Sequence, residues 1–221
     1  MKTAIILGAT GLTGGMLLNR LLKDDSYSVI KLFSRSTTGS SDPKIEEHLI
    51  DLFELEKYEE QFTGDEVFCC IGTTKAKTPD EKTYHKIDYG IPVTAARLAK
   101  RNGIEKFLVI SALGADANSS IFYNRTKGEM ERDVLKENIP ETYIFEPSLI
   151  AGERKEKRFF EALAKHLMKI GNYLLVGSLK KYRSIHPDTI ARAMQIVAAE
   201  GYKNCKIESD EIKAIANHDR N

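Results

Sequence analysis

Cysteine is scarce in this 221-residue chain, and the few present form no pattern. There are three: Cys69 and Cys70 are adjacent and Cys205 stands far off. An odd number without framework spacing excludes a disulfide scaffold and points to reduced thiols, hence to a cytoplasmic protein. Cys69 and Cys70 fall inside the apolar run "EVFCCIG", where a thiol serves as a small core residue rather than a reactive one. The five histidines show no metal-ligand spacing with one another or with cysteine. A surplus of one charge is missing as well. Thirty-three Lys and Arg against 32 Asp and Glu leave +1, so neither nucleic acid nor an anionic membrane is an expected partner. No apolar run approaches the roughly 20 residues of a spanning helix. The apolar start of the chain is short and runs into glycines, so no secretory signal is expected there. Internal repeats and low-complexity segments are also lacking.

What is present is an ordinary globular composition, 42 % hydrophobic and 29 % charged. The length suits one sizeable core and is short for two, so residues 1–221 are expected to form a single domain. Apolar, β-branched runs at 3–8, 27–35, 45–52, 65–73, 106–115 and 141–150 read as strands. Helical spacing recurs at 12–25, 90–103, 124–138, 157–171 and 187–201. Residues 203–212 read as a short further strand. Strands apolar on both faces, alternating with helices, indicate an α/β fold of Rossmann type: a doubly wound parallel sheet covered on both sides. The pattern changes after Ser148, and residues 148–221 are expected to fold back as a small cap over the C-terminal edge of the sheet.

The first strand-to-helix junction reads "GATGLTGG". Gly8, Gly11 and Gly14 stand three apart. Gly8 permits a tight turn, Gly11 lets backbone amides approach a diphosphate, and Gly14 lets the helix lie close to the sheet. Thr10 and Thr13 add hydroxyls, and with Leu12 they complete a loop whose amides face the helix N-terminus. A plain turn with packing glycines would look similar. The position at the first βα junction favours a dinucleotide site. At the end of the second strand the chain offers Ser34, Arg35 and Ser36 and no acid. A guanidinium there suits the 2′-phosphate of NADP(H), where a carboxylate would suit NAD.

Tyr and Lys four apart occur three times, at Tyr27/Lys31, Tyr123/Lys127 and Tyr202/Lys206. Topology separates them. Only Tyr123 and Lys127 open the helix that follows the fifth strand, where they share a face. A lysine there is expected to lower the phenol pKa, so that Tyr123 can exchange a proton with a carbonyl oxygen. Ser111 ends the fifth strand, at the edge where such sheets bind ligands, and its hydroxyl is expected to hold the carbonyl. A strand-end serine with only a local bond is the plainer alternative.

The motifs "GATGLTGG", "SRS", "IDLFE", "VFCCIGTT", "SALGAD", "YNRTKGEME" and "EPSLIAGER" together resemble the short-chain dehydrogenase/reductase superfamily, in its atypical, extended-like NAD(P)H-binding branch that includes the NmrA-like proteins. The resemblance covers the whole chain. It implies that Asp51 and Leu52 lie near the adenine, that Ile71, Gly72 and Thr73 line the cofactor, and that Pro147 shapes the nicotinamide pocket. It also implies that Ser111, Tyr123 and Lys127 form the catalytic set, with Lys127 holding the ribose. Two departures stand out: Asp88 occupies a place where many relatives carry Asn, and the cap is too short for a sugar-nucleotide. The implied activity is an NADPH-dependent reductase of a small carbonyl compound. The alternative is a non-catalytic NADP(H)-binding sensor or regulatory protein. Near the variable end, Arg154 and Arg183 are candidates for holding an anionic substrate or the cofactor diphosphate. Phe159 and Phe160 read as core, Lys155, Lys157, Lys180 and Lys181 as a solvated face, and His186 as a cap or packing residue before Pro187.

Overall fold

Why the central strands carry no polar face is visible in the computed structural model, which describes residues 1–151 and 183–217. Strand β1 (Lys2–Leu7) turns Ala4 and Ile6 into one apolar cluster and Ile5 and Leu7 into a second on the other face. Alternation with period two thus feeds two cores at once, and no solvent-facing side is left to be polar. The elements that follow are α1 (Leu12–Leu21), β2 (Tyr27–Ser34), β3 (Ile45–Leu49), a 3-10 stretch (Leu52–Tyr58) and β4 (Glu66–Cys69). Next come α2 (Glu81–His85), a π-helical turn (Lys86–Gly90), α3 (Ile91–Arg101), β5 (Lys106–Ile110), α4 (Phe122–Lys136) and β6 (Glu141–Glu146). The described part closes with α5 (Pro187–Glu200), β7 (Lys206–Glu208) and α6 (Ser209–Asn217).

The strands form one seven-stranded sheet in the order β3-β2-β1-β4-β5-β6-β7, with every neighbouring pair parallel. On one face lie Leu17, Leu18 and Leu21 of α1, Ile190, Met194 and Val197 of α5, and Ile212 and Ile215 of α6. On the other lie Leu55, the Val93–Ala99 face of α3, and Met130 and Val134 of α4. This is the expected Rossmann-type doubly wound fold. The strand order reverses between β1 and β4, and at such a switch point the strand ends open a crevice.

Several expected boundaries shift for local reasons. The third strand stops at Leu49, because Asp51 accepts a hydrogen bond from the Phe53 amide at 2.9 Å and starts the 3-10 stretch instead. The strand expected at 203–212 holds only through Glu208. At Ser209 the chain becomes helical, with Asp210 and Glu211 favourably placed in the first turn. The extent of the cap is corrected accordingly. Residues 187–217 supply two helices and an edge strand of the main sandwich, so their apolar faces are buried against the sheet rather than over its edge. The helix expected at 157–171, and with it Arg154, Phe159, Phe160 and Tyr182, lies outside the described residues.

Past β6 two segments meet outside the named strands. Ile150 and Ile185 form a parallel bridge, with Ala151 N–H donating to Ile185 O at 2.9 Å and Ile185 N–H to Leu149 O at 3.0 Å. His186 caps α5, its Nδ1 accepting from the Asp188 amide at 3.2 Å, as expected for a histidine before a helix-opening proline.

Candidate functional site

The glycine turn sits at the switch point. Gly8 has φ +88°, and a Cβ there would lie 2.7 Å from the carbonyl oxygen of Cys70, just past β4. A Cβ on Gly14 would lie 2.2 Å from the Gly8 carbonyl oxygen. Both glycines are therefore required by close backbone approach. Gly11 is less constrained; a Cβ would meet the Gly8 oxygen at 3.1 Å. Gly11 serves as the N-cap of α1, no side chain caps that helix, and its first turn carries no acid. The leading amides, from Leu12 onward, thus keep free donors at the positive end of the helix. Thr10 and Leu12 are exposed beside them, while Thr13 is buried. A diphosphate fits this cradle: small residues leave room, unpaired donors face outward, and no carboxylate opposes an anion.

Arg35 is exposed just past the end of β2 and has no ion-pair partner among the described residues. Ser34 is buried and donates to the Ser36 carbonyl at 2.8 Å, shaping the turn that presents Arg35. Glu47 pins the next residues, accepting from the Thr37 hydroxyl at 2.6 Å and the Thr38 amide at 2.7 Å. Those bonds hold the Glu47 carboxyl below its ordinary pKa. Asp51 is exposed and Leu52 buried at the neighbouring strand end.

The end of β4 carries Ile71, Gly72 and Thr73. The Thr73 amide donates to Asp88 Oδ2 at 2.8 Å. The Tyr84 hydroxyl donates to the Thr73 carbonyl at 3.1 Å. Asp88 Oδ1 lies 2.9 Å from Lys127 Nζ in an ion pair whose two side chains are almost fully buried. Gly72 borders this pair; a Cβ there would stand 3.6 Å from Asp88 Oδ1 and 3.8 Å from Lys127 Nζ. The set of site residues read from the sequence did not include Asp88; the signal available was its standing where many relatives carry Asn.

Tyr123 and Lys127 occupy one face of α4, with Tyr123 41 % exposed and Lys127 3 %. The expected lowering of the phenol is corrected. Crowding around the Tyr123 ring is the largest influence and pushes its pKa up; Lys127 pulls it down, and Asp88 pushes it up again, for a net rise. For Lys127, burial is the largest influence and pulls its pKa down. The charges of Asp88 and Tyr123 outweigh it and hold the ammonium above its ordinary value. The pair therefore rests as a neutral phenol over a charged lysine.

Ser111 follows β5 directly. Its buried hydroxyl donates to Glu131 Oε1, and Glu131 Oε2 accepts from Lys206 at 2.5 Å. Lys206 also lies 3.4 Å from Glu146. The Ser111 proton is thus directed to Glu131 and joins it to this network. Pro147 is buried at the end of β6, its carbonyl accepting from the Leu113 amide at 3.0 Å. The Arg183 carbonyl accepts from Ser148 Oγ at 2.5 Å and from Lys213 Nζ at 2.6 Å, while the Arg183 Nε is buried without a partner. Cys69 and Cys70 behave as core residues, burial pushing both thiols up, Cys69 to about 12. A groove between α1 and α5, lined by Met16, Asn19 and Gln195 and crossed by the Arg20–Asp188 pair at 2.7 Å, lies away from these strand ends. Among the described residues, no cluster of three or more His, Cys, Asp or Glu is placed to hold a metal, and no helix is long and apolar enough to cross a membrane.

The sequence model of a family described as NAD(P)H-binding matches residues 8–160. Protein fmp52, mitochondrial, of Aspergillus niger is 33 % identical over 202 residues, covering 87 % of this chain and 85 % of its own. Protein HTATIP2 of Rattus norvegicus is 32 % identical over 168 residues, 74 % of this chain and 69 % of its own. A short-chain dehydrogenase/reductase superfamily protein from Agrobacterium tumefaciens, solved with bound NAD, superposes with a TM-score of 0.66 at 12 % identity, covering 88 % of this chain and 73 % of that one. The fungal relative corrects the cytoplasmic expectation, since its name places it in mitochondria. Free thiols mark a reducing environment, and that is not unique to the cytosol.

Proposed function

The chain belongs to the NAD(P)H-binding family, as an atypical member of the short-chain dehydrogenase/reductase group, and from that premise we propose that it is an NADP(H)-dependent reductase of a small carbonyl compound. The observation that carries this reading is the exposed phenol of Tyr123 one helical turn from the buried ammonium of Lys127, beside the strand ends that form the glycine cradle. The amides of the Gly8–Gly14 turn would hold the diphosphate, and Arg35, without an ion-pair partner among the described residues, would take the 2′-phosphate. Ile71, Gly72 and Thr73 would border the dinucleotide along β4, with Asp51 and Leu52 at its adenine end and Pro147 at the other. When bound, the reduced nicotinamide supplies the hydride.

The chain supplies the proton and its placement. Tyr123 retains its proton well above neutral pH, since its pKa stands above the ordinary phenol value, and so gives it to a carbonyl oxygen as negative charge develops there. Lys127, paired with Asp88 at 2.9 Å, stabilises the phenolate left behind. Residues 150 and 185, bridged beside the end of β6, would bound the substrate side.

A second reading, a non-catalytic NADP(H) sensor, is favoured by one observation: the Ser111 hydroxyl is engaged with Glu131. The two are separated by screening aldehydes, ketones and quinones for NADPH oxidation with the native protein and with Tyr123→Phe. The reductase reading expects turnover that the variant loses while still binding NADPH. Background rates across the screen would leave the sensor standing.

A further inference from the structure

We propose that Asp88 is a positioning residue that keeps the Tyr123 phenol protonated, so that the site is set as a proton donor. The inference rests on the reading of Tyr123 as the acid and names what controls it. Asp88 sits in the π-helical turn between α2 and α3. Turns of this wider winding recur at functional sites, where they re-aim a side chain. Here Asp88 is 1 % exposed and its two oxygens face different partners: the Thr73 amide at 2.8 Å and Lys127 Nζ at 2.9 Å.

An amide in place of the carboxylate would still accept a hydrogen bond, so what the carboxylate adds is charge. The titratable groups around it are known from each packed element. From α4 come Lys127 and Tyr123, from α2 Tyr84, and from β4 Cys69, with Gly72 and Thr73 adding only main chain on that side. Among the described residues of this group Lys127 is the one cation and Asp88 the one anion, so they sum to neutral while Tyr123 keeps its proton. Ionising Tyr123 would create a net negative charge in a poorly hydrated place. Without Asp88 the group carries one positive charge, and its first proton is released at a lower pH. Asp88 therefore counters the pull of Lys127 on the phenol and favours giving a proton over taking one.

The test is Asp88→Asn in the cofactor-free protein, followed by the ¹³Cζ signal of labelled tyrosine, with Tyr123 assigned by its loss in Tyr123→Phe. The expected result is that Tyr123 ionises at least one pH unit lower than in the native protein, while the melting curve stays cooperative. Should the amide variant fail to fold, Asp88→Ser, neutral and smaller, takes its place. In turnover, the alkaline limb of carbonyl reduction should move down by a similar amount. Titration curves that superimpose, or a move to higher pH, would overturn the proposal. A downward shift with no turnover of any carbonyl upholds the role of Asp88 and removes the reductase reading, so the two failures are distinguishable.

Discussion

Gly14 lies under the carbonyl of Gly8 so closely that a methyl group on it would sit 2.2 Å from that oxygen and 2.7 Å from its carbon. Neither neighbour is a flexible side chain, so the backbone itself would have to give way. Gly14→Ala is expected to destabilise the fold by about 1–3 kcal/mol, the cost of forcing a methyl into a packed site, and to lower NADPH affinity at least about tenfold as the turn opens. Thermal melting and a nucleotide titration check this. Unchanged values for both would mean that the turn is loose and that the cradle is not built by close approach.

Among the described residues Arg35 has no ion-pair partner, so its removal should leave the fold's stability unchanged and act on the ligand. A hydrogen-bonded pair with a phosphate is worth about 1.5–3 kcal/mol. Arg35→Ala should therefore weaken NADPH about 10- to 100-fold and leave NADH within about twofold. Calorimetry with both nucleotides decides the matter; equal losses would show that Arg35 does not read the 2′-phosphate.

Two carboxylates, Glu131 and Glu146, share one ammonium, Lys206, inside the fold. Burial first, then the charge of Glu131, pushes Glu146 up to about 7, with Lys206 pulling it back. A carboxyl raised in the folded state binds more protons there than in the unfolded chain between its ordinary value and about 7. Stability must then fall as pH rises through that window. Glu146→Gln removes the titration. The variant should be more stable than the native protein at pH 8, by on the order of 1–3 kcal/mol, and should lose the downward slope. Denaturant melts at several pH values test it, and parallel curves for the two proteins would refute it.

The parts of this architecture that depend on short-range pattern were readable from the chain. The strand, glycine turn and helix at residues 3–21 announce themselves because Gly8 and Gly14 answer to local geometry. Tyr123 and Lys127 stand one helical turn apart, and only their place after β5 distinguished them from two similar pairs. What escaped depends on contacts between distant segments. Asp88 meets Lys127 across 39 positions (127 − 88), and it does so through a π turn that no apolar periodicity reveals. The engagement of Ser111 with Glu131 likewise needs α4 to be docked before it exists. Strand β7 is three residues long and is held by pairing with β6, about sixty positions earlier, so its membership of the sheet could not be read locally. That is why residues 187–217 resembled an appendage in sequence and are part of the main sandwich in space.

The bridge between Ile150 and Ile185 fastens two segments distant in sequence by a pair of backbone hydrogen bonds. Because those bonds run through main-chain groups, a change of side chain at either isoleucine leaves both donors and both acceptors in place. The fastening beside β6 is thus written into the course of the backbone, and substitution alone does not undo it.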